Sequence, residues 1–333
     1  ASRYTFNATL KWDIADWISV MGRVRTDNTA MNYTRKIYAS SNTLFASEYG
    51  NYLDHKVNHN NFYADALLSI DKRFVDDRLS LQFNLGASLM DDKNNGSGFE
   101  GHLATLPNKF SLYNIDMSHS QTKPYADRYH DQVQAMYATL QLGWNGMLYL
   151  DVTARNEWAS QLAGTPDVNI FYPSVGLSAV ISEMVELPEW FSFLKLRASW
   201  GKAGNNQGIG NYAWQAVYAT QNVVVDGSGS KGLYISSLSN ADLKWETTAT
   251  TDIGLDMGFF DNRLTAEVDY YRKNTTDILY TPTIYMTMGE VSGVPSNLGS
   301  VVNKGFEVSL NWKSRIGKDF SYFLAPPSLS TID

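Results

Sequence analysis

The chain has 333 residues, 44% hydrophobic and 13% aromatic, with a net charge of -7 and no cysteine. That length allows two ordinary domains or one large all-β domain, the apolar content excludes a disordered chain, and the acidic balance argues against a nucleic-acid partner. No apolar run approaches the roughly 18 residues of a membrane-spanning helix, which leaves open a β-barrel, whose strands are only half apolar. Absence of cysteine suits passage through an oxidising periplasm but is also common in the cytoplasm.

Ala1 to Trp12 shows no basic-plus-apolar signal peptide and opens directly on a strand pattern, as a fragment or processed piece would. Tyr4, Phe6, Ala8, Leu10 and Trp12 alternate with polar residues in the first predicted strand, Tyr4 to Trp12. Trp17 to Thr26 is the second. A polar segment without a period, Asp27 to Asn61, precedes strands at Phe62 to Lys72 and Leu79 to Leu89. A second polar stretch runs from Met90 to Asp131. Gln132 to Leu142 and Met147 to Arg155 flank a tight turn at Gly143 to Gly146, and Tyr172 to Ile181 and Phe193 to Gly201 flank a medium break.

After a Gly/Asn/Ser-rich segment, Lys202 to Asn240, comes the clearest hairpin. Thr251, Ile253, Leu255, Met257 and Phe259 share one face, and Leu264, Ala266, Val268 and Tyr270 continue it beyond Asp261-Asn262-Arg263. Pairing Phe259 with Leu264 places Met257 opposite Ala266 and Asp256 opposite Glu267. Lys304 to Trp312 and a strand from Phe320 complete about twelve strands.

Short turns alternate with long loops, and Trp12, Trp17, Trp144, Trp190 and Trp312 all sit beside short turns. A soluble sandwich has no reason to keep its long loops at one end, whereas outer-membrane barrels have short periplasmic turns and an aromatic girdle there. The expected fold is all-β: an antiparallel up-and-down transmembrane β-barrel, present as about 12 strands of a larger barrel.

Particular motifs point further. Phe171 to Ser178 (FYPSVGLS), Leu194 to Gly201 (LKLRASWG) with Gly204 to Gln207, Asn240 to Thr248 (NADLKWETT), Asp269-Tyr270-Tyr271 with Thr276 to Leu279, and Asn297 to Glu307 (NLGSVVNKGFE) stand in one order. In them the chain resembles the middle of the barrel of SusC/RagA-type TonB-dependent outer-membrane transporters of Bacteroidetes; the first 170 residues match only in strand rhythm. The resemblance implies a parent barrel of about 22 strands, plugged by an N-terminal domain. It would work under a SusD-like surface lipoprotein and import oligosaccharides or peptides with the help of TonB. It also implies location in the bacterial outer membrane, contact with its lipid, no cofactor and no enzymatic activity. Residues 1–323 would be the partial barrel and 324–333 a truncated or non-native tail, because Pro326 and Pro327 break the strand that Phe320 begins. On this resemblance the plug, through which TonB would act, is expected to be absent from residues 1–333. A siderophore or vitamin receptor of similar build, and a soluble all-β carbohydrate-binding or glycosidase domain, are the alternatives.

Catalytic chemistry has little support. All five histidines, His55, His59, His102, His119 and His130, fall in predicted loops, and no glutamate between His55 and His59 completes a metal motif. Asp91 to Gly96 has a lysine where a calcium loop needs a ligand and reads as a solvated turn. Gly201, Gly204, Gly208 and Gly210 are followed by a predicted strand, Tyr212 to Tyr218, rather than a phosphate-cradling helix, and read as loop punctuation. The lumen face offers more. Asp252, Asp256, Glu267 and Asp269 gather there, and Lys195 or Arg197, or a cation from the plug, is expected to neutralise them. Trp158, Tyr172, Trp214, Tyr218 and Tyr234 are the aromatic candidates for substrate contact, with packing within the loops as the competing role.

Overall fold

A computed structural model describes residues 1–41, 47–119, 122–225, 228–283, 285, 287, 293–325 and 329–332. The strands are β1 (Ser2–Ala15), β2 (Ile18–Ile37), β3 (Asn51–Phe74), β4 (Leu79–His102), β5 (Lys123–Trp144), β6 (Leu148–Ala159), β7 (Asn169–Val180) and β8 (Phe191–Asn205). They continue as β9 (Val217–Val225), β10 (Ser228–Ser237), β11 (Glu246–Phe259), β12 (Leu264–Tyr280), β13 (Ser296–Ile316), β14 (Phe320–Leu324) and β15 (Leu329–Ile332). One sheet runs in the order β1 to β8, then β11 to β14, with β15 also on β13; β9 and β10 form a separate two-stranded sheet. Neighbours in the sheet are mostly neighbours in sequence, as in an up-and-down barrel. Among the described residues no helix is long and apolar enough to cross a membrane.

The chain divides into two compact units. One holds Ala1–Leu10, Met21–Ala66 and Ser88–Val133, the parts of β1 to β5 farthest in sequence from the short turns. Here the expectation fails: the polar segments 27–61 and 90–131 are largely strand, and the connections shrink to 38–50 and 103–122. β3 and β4 have 24 residues each, more than twice the roughly nine to eleven of a bilayer-crossing strand. Beyond the apolar band both faces of a strand are polar, so alternation disappears while backbone pairing continues. Side-chain ion pairs then replace apolar packing. The Asp65 carboxylate is sealed from solvent and receives Arg23 Nε at 3.1 Å and the Tyr63 hydroxyl at 2.9 Å. Asp27 receives Arg3 Nε at 2.9 Å. For the same reason Asp91 to Gly96 is strand rather than turn, and His55, His59 and His130 sit in strands, with His102 ending β4. No group of three metal-ligating side chains occurs among the described residues.

The other unit holds Lys11–Val20, Leu67–Ala87 and Gln134–Asp333. Its hairpin β11–β12 has the register that the alternation predicts: Phe259 faces Leu264, Met257 faces Ala266 and Asp256 faces Glu267. Registers multiply across the sheet into apolar rows. Leu150, Leu177, Ala198, Ile253, Tyr270 and Phe306 form one, and Leu148, Ala179, Leu196, Leu255, Val268 and Val308 the next. Leu177 is 60% exposed and Phe306 56%, and no second sheet covers these rows among the described residues. A soluble sandwich would bury such a face; a lipid-facing wall presents it.

Two hairpin turns share one conformation. Val75, Asp76 and Asp77, and Phe260, Asp261 and Asn262, are runs of three left-handed residues, each closed by the following arginine amide on the first residue's carbonyl. Asp and Asn tolerate that region; Val75 and Phe260 do so at a cost. Tyr212 to Tyr218 is mostly turn rather than strand, and Gly201 and Gly204 lie within β8 instead of a loop. The tail adds a strand after the break, since β15 pairs with Gly305 to Val308 of β13. Pro326 and Pro327 lie outside the described residues.

Candidate functional site

The polar face of β6 to β8 and β11 to β13 carries two charged networks. Strand alternation puts Lys195, Arg197 and Ser199 on one face of β8, and register sets them opposite Asp256, Gly254 and Asp252 of β11. On the other side Asp256 faces Glu267, Gly254 faces Asp269, and Asp252 faces Tyr271. Arg197 lies across Gly254 and grips both flanking acids. Its Nε donates to Asp256 at 2.9 and 3.0 Å, and its Nη2 donates to Asp256 at 2.6 Å and to Asp269 at 3.0 Å. Two guanidinium nitrogens on one carboxylate make a fork that a lysine ammonium cannot reproduce. Arg197 is therefore the neutralising cation. Lys195 faces Asp256 in register, yet neither it nor Glu267 joins an ion pair among the described residues. Asp252 lies on the same face without an ion pair among them, and Glu307, opposite Asp269, adds a further acid.

The second network sits on β6 and β7. Arg155 and Tyr172 are cross-strand partners, and both reach Glu157: Arg155 Nε donates at 2.8 Å and the Tyr172 hydroxyl at 2.5 Å. The Arg155 guanidinium also lies 5.7 Å from the Tyr137 ring centroid, within cation–π range. Below it Thr153 and Ser174 share a hydrogen bond of 2.6 Å, and Gln141 donates to Asp151 at 2.7 Å. The wall is thus a ladder of paired charges and hydroxyls. It can exchange hydrogen bonds with a polar solute, and no nucleophile–base pair is among these contacts.

The structure does not bring the five aromatic candidates together. Tyr172 belongs to the ladder just described. Trp158 shares the opposite face of β6 with Leu148, Leu150 and Val152, at the far end from the short turn, where an interfacial aromatic would sit. The Trp214 ring packs flat on Gly164: a Cβ there would meet it at 2.3 Å. Tyr218 and Tyr234 stand on the β9–β10 hairpin, opposite Ile235 and Ala219 in adjacent rows, and so point to opposite sides of it.

The NADLKWETT stretch packs and braces the chain before β11. Leu243 is fully buried, and the Trp245 indole donates to the Asp167 carbonyl at 3.1 Å. Lys244 pairs with Asp277 at 2.8 Å, and that hydrogen bond raises its pKa. Asn297 closes the unit: its amide donates to the carbonyls of Lys244 at 2.8 Å and Asp277 at 2.7 Å, and its oxygen accepts from the Lys244 amide. Glu246 accepts from the Leu279 amide and from Asn205. Residues from four of the resembling motifs therefore form one brace.

Known proteins share this chain's fold and parts of its sequence. A chain from Formosa agariphila, "TonB-dependent receptor P26", is 36% identical over 182 residues, covering 54% of this chain and 18% of its own length. "TonB-dependent receptor SusC" of Bacteroides thetaiotaomicron is 34% identical over 160 residues, covering 46% of this chain and 16% of its own. Among solved structures, that of the RagAB peptide transporter superposes with a TM-score of 0.84 at 23% identity, covering 96% of this chain and 35% of that one. The chain thus spans about a fifth of the curated relatives it matches. The family described as "TonB dependent receptor-like, beta-barrel" matches residues 1–331, and the chain belongs to that family.

Proposed function

We propose that this chain forms part of the wall of an outer-membrane importer that takes up oligosaccharides or peptides, powered through TonB and covered by a SusD-like surface lipoprotein. The observation that carries the reading is the two-faced sheet: an exposed apolar face row after row, backed by a ladder of ion pairs, in a chain of this family. Apolar rows meet lipid; the ladder lines the path. In this reading a plug from outside residues 1–333 closes the lumen and meets Asp252, Glu267 and Glu307, acids that join no ion pair among the described residues. TonB pulls on that plug to open the way.

Substrate contact then falls to residues on the ladder, Tyr172 and Arg155 among them, and to the aromatic rings of the β9–β10 hairpin. The chain performs no catalysis in this scheme; it moves its substrate unchanged. The test is to delete the full-length gene in its host and supply oligosaccharides, peptides or ferric siderophores as single limiting nutrients. Loss of growth on a glycan or peptide supports the proposal. Loss on the siderophore alone favours the alternative receptor class.

A further inference from the structure

We propose that the stripe Tyr125–Asp127–Tyr129–Asp131 of β5, with His55 and His59 of β3 and Asp92 of β4, binds a cationic group, an ammonium or guanidinium, carried by the transported ligand. The proposal rests on the import reading and deepens it. The geometry starts from alternation. On β3 these histidines share the face of Tyr63 and Asp65, opposite Phe62 and Ala64; on β4, Asp92, Asn94 and Gly96 lie opposite Leu89 and Asp91. Successive stripe residues are about 6.7 Å apart along the strand, so aromatic and acidic side chains interleave at regular steps.

Side-chain contacts tie the three strands together. Tyr125 lies over Gly96, where a Cβ would come within 2.9 Å of its ring, and His55 stacks on Tyr125 at 3.8 Å with the rings 10° from parallel. Asn94 donates to Asp127 at 2.8 Å. His59 Nε2 lies 2.6 Å from Asp92, and its ring centroid is 6.4 Å from that of Tyr129. His55 Nε2 and Asp131 Oδ1, at the two ends of the stripe, have no hydrogen-bond partner among the described residues.

Charge decides the ligand class. Arg23 and Arg35 on the neighbouring strands pair with Asp65 and Glu100. These residues lie in β5 beyond the roughly ten nearest the turn that a bilayer crossing needs. Burial, then Asp92, Asp131 and Asp127, push the Tyr129 hydroxyl's pKa up, and burial, then Asp127, push that of Tyr125 up. No cation opposes either shift. Three carboxylates with aromatic faces beside them attract a cation and repel an anion.

The cation could belong to a basic peptide or to an amino sugar, and binding to the purified full-length transporter separates them. The probes are tetralysine against tetra-alanine, and a glucosamine tetramer against its N-acetylated form. At least one charged probe should bind about tenfold more tightly than its neutral counterpart, with the advantage shrinking as salt rises. In the isosteric variant Asp127→Asn with Asp131→Asn, that advantage should vanish while heat-modifiability on gels confirms a folded barrel. Equal binding of charged and neutral probes, no binding of either charged probe, or an advantage that survives in the folded variant overturns the proposal. Uptake separates this from the import reading: cells that still import a neutral glycan or peptide through the protein keep that reading even if the cation site fails.

Discussion

Gly254 and the Arg197 guanidinium claim the same space. A Cβ at Gly254 would sit 2.7 Å from Arg197 Cζ and 2.2 Å from Asp269 Oδ1, so the absent side chain is what lets the arginine lie across β11 to Asp256. Gly254→Ala should therefore push the guanidinium off its acids and cost about 1–3 kcal/mol. Urea titration of the full-length protein in detergent measures this, with Gly229→Ala, which meets nothing within 4 Å, as the control. Equal midpoints for the two variants would refute the arrangement.

Arg197→Lys keeps the charge and loses the fork. It should cost about 1–2 kcal/mol, whereas Lys195→Ala should stay within about 0.5 kcal/mol. A double-mutant cycle with Asp256→Asn should show coupling for Arg197 and none for Lys195. Coupling at Lys195 instead would reassign the neutralising cation.

Ile253 and Ser199 sit on opposite sheet faces, one in an apolar row and one beside Asp252. In a lipid bilayer, Ile253→Arg should destabilise the protein by about 2–4 kcal/mol and Ser199→Arg by no more than about 1 kcal/mol. Tolerance of arginine at position 253 would argue that the apolar face does not meet lipid.

Asn297 satisfies backbone groups on both sides of the brace. Asn297→Ala leaves them unpaired, at a cost of about 1–3 kcal/mol, and should loosen the segment that carries β9–β10. Limited trypsin digestion reads this as faster cleavage at Lys231. An unchanged rate would mean that the brace does not hold the hairpin.

Val75 adopts φ 56° at the β3–β4 turn, a region that glycine enters freely. Val75→Gly should leave stability unchanged or raise it by up to about 1 kcal/mol, the gain in turn geometry offsetting the extra freedom of the unfolded chain. A clear loss would show that the side chain anchors the turn.

Alternation carried much of the architecture. Wherever one face is apolar, as at Ile253, Leu255 and Met257, a one-residue slip would exchange the faces, so the pairing of Asp256 with Glu267 is legible from spacing. Where both faces turn polar, as from Met90 to His102, that signal vanishes although the ladder continues, and long strands read as loops. Trp158 and Tyr172 show the same limit for the site. Both are aromatic residues near strand ends, and only register puts one on the apolar face and the other on Glu157.

By itself, then, the sequence determined the fold class, the hairpin register and the family, because these follow from period-two patterning and local motifs. Only the tertiary structure decided which cation meets which acid and which aromatics line the polar face. Nor could spacing reveal that the acidic, aromatic stripe of β5 lies against two histidines of β3. Those contacts join residues separated by 59 and 72 positions in the case of Arg197, a distance across which no local pattern reports.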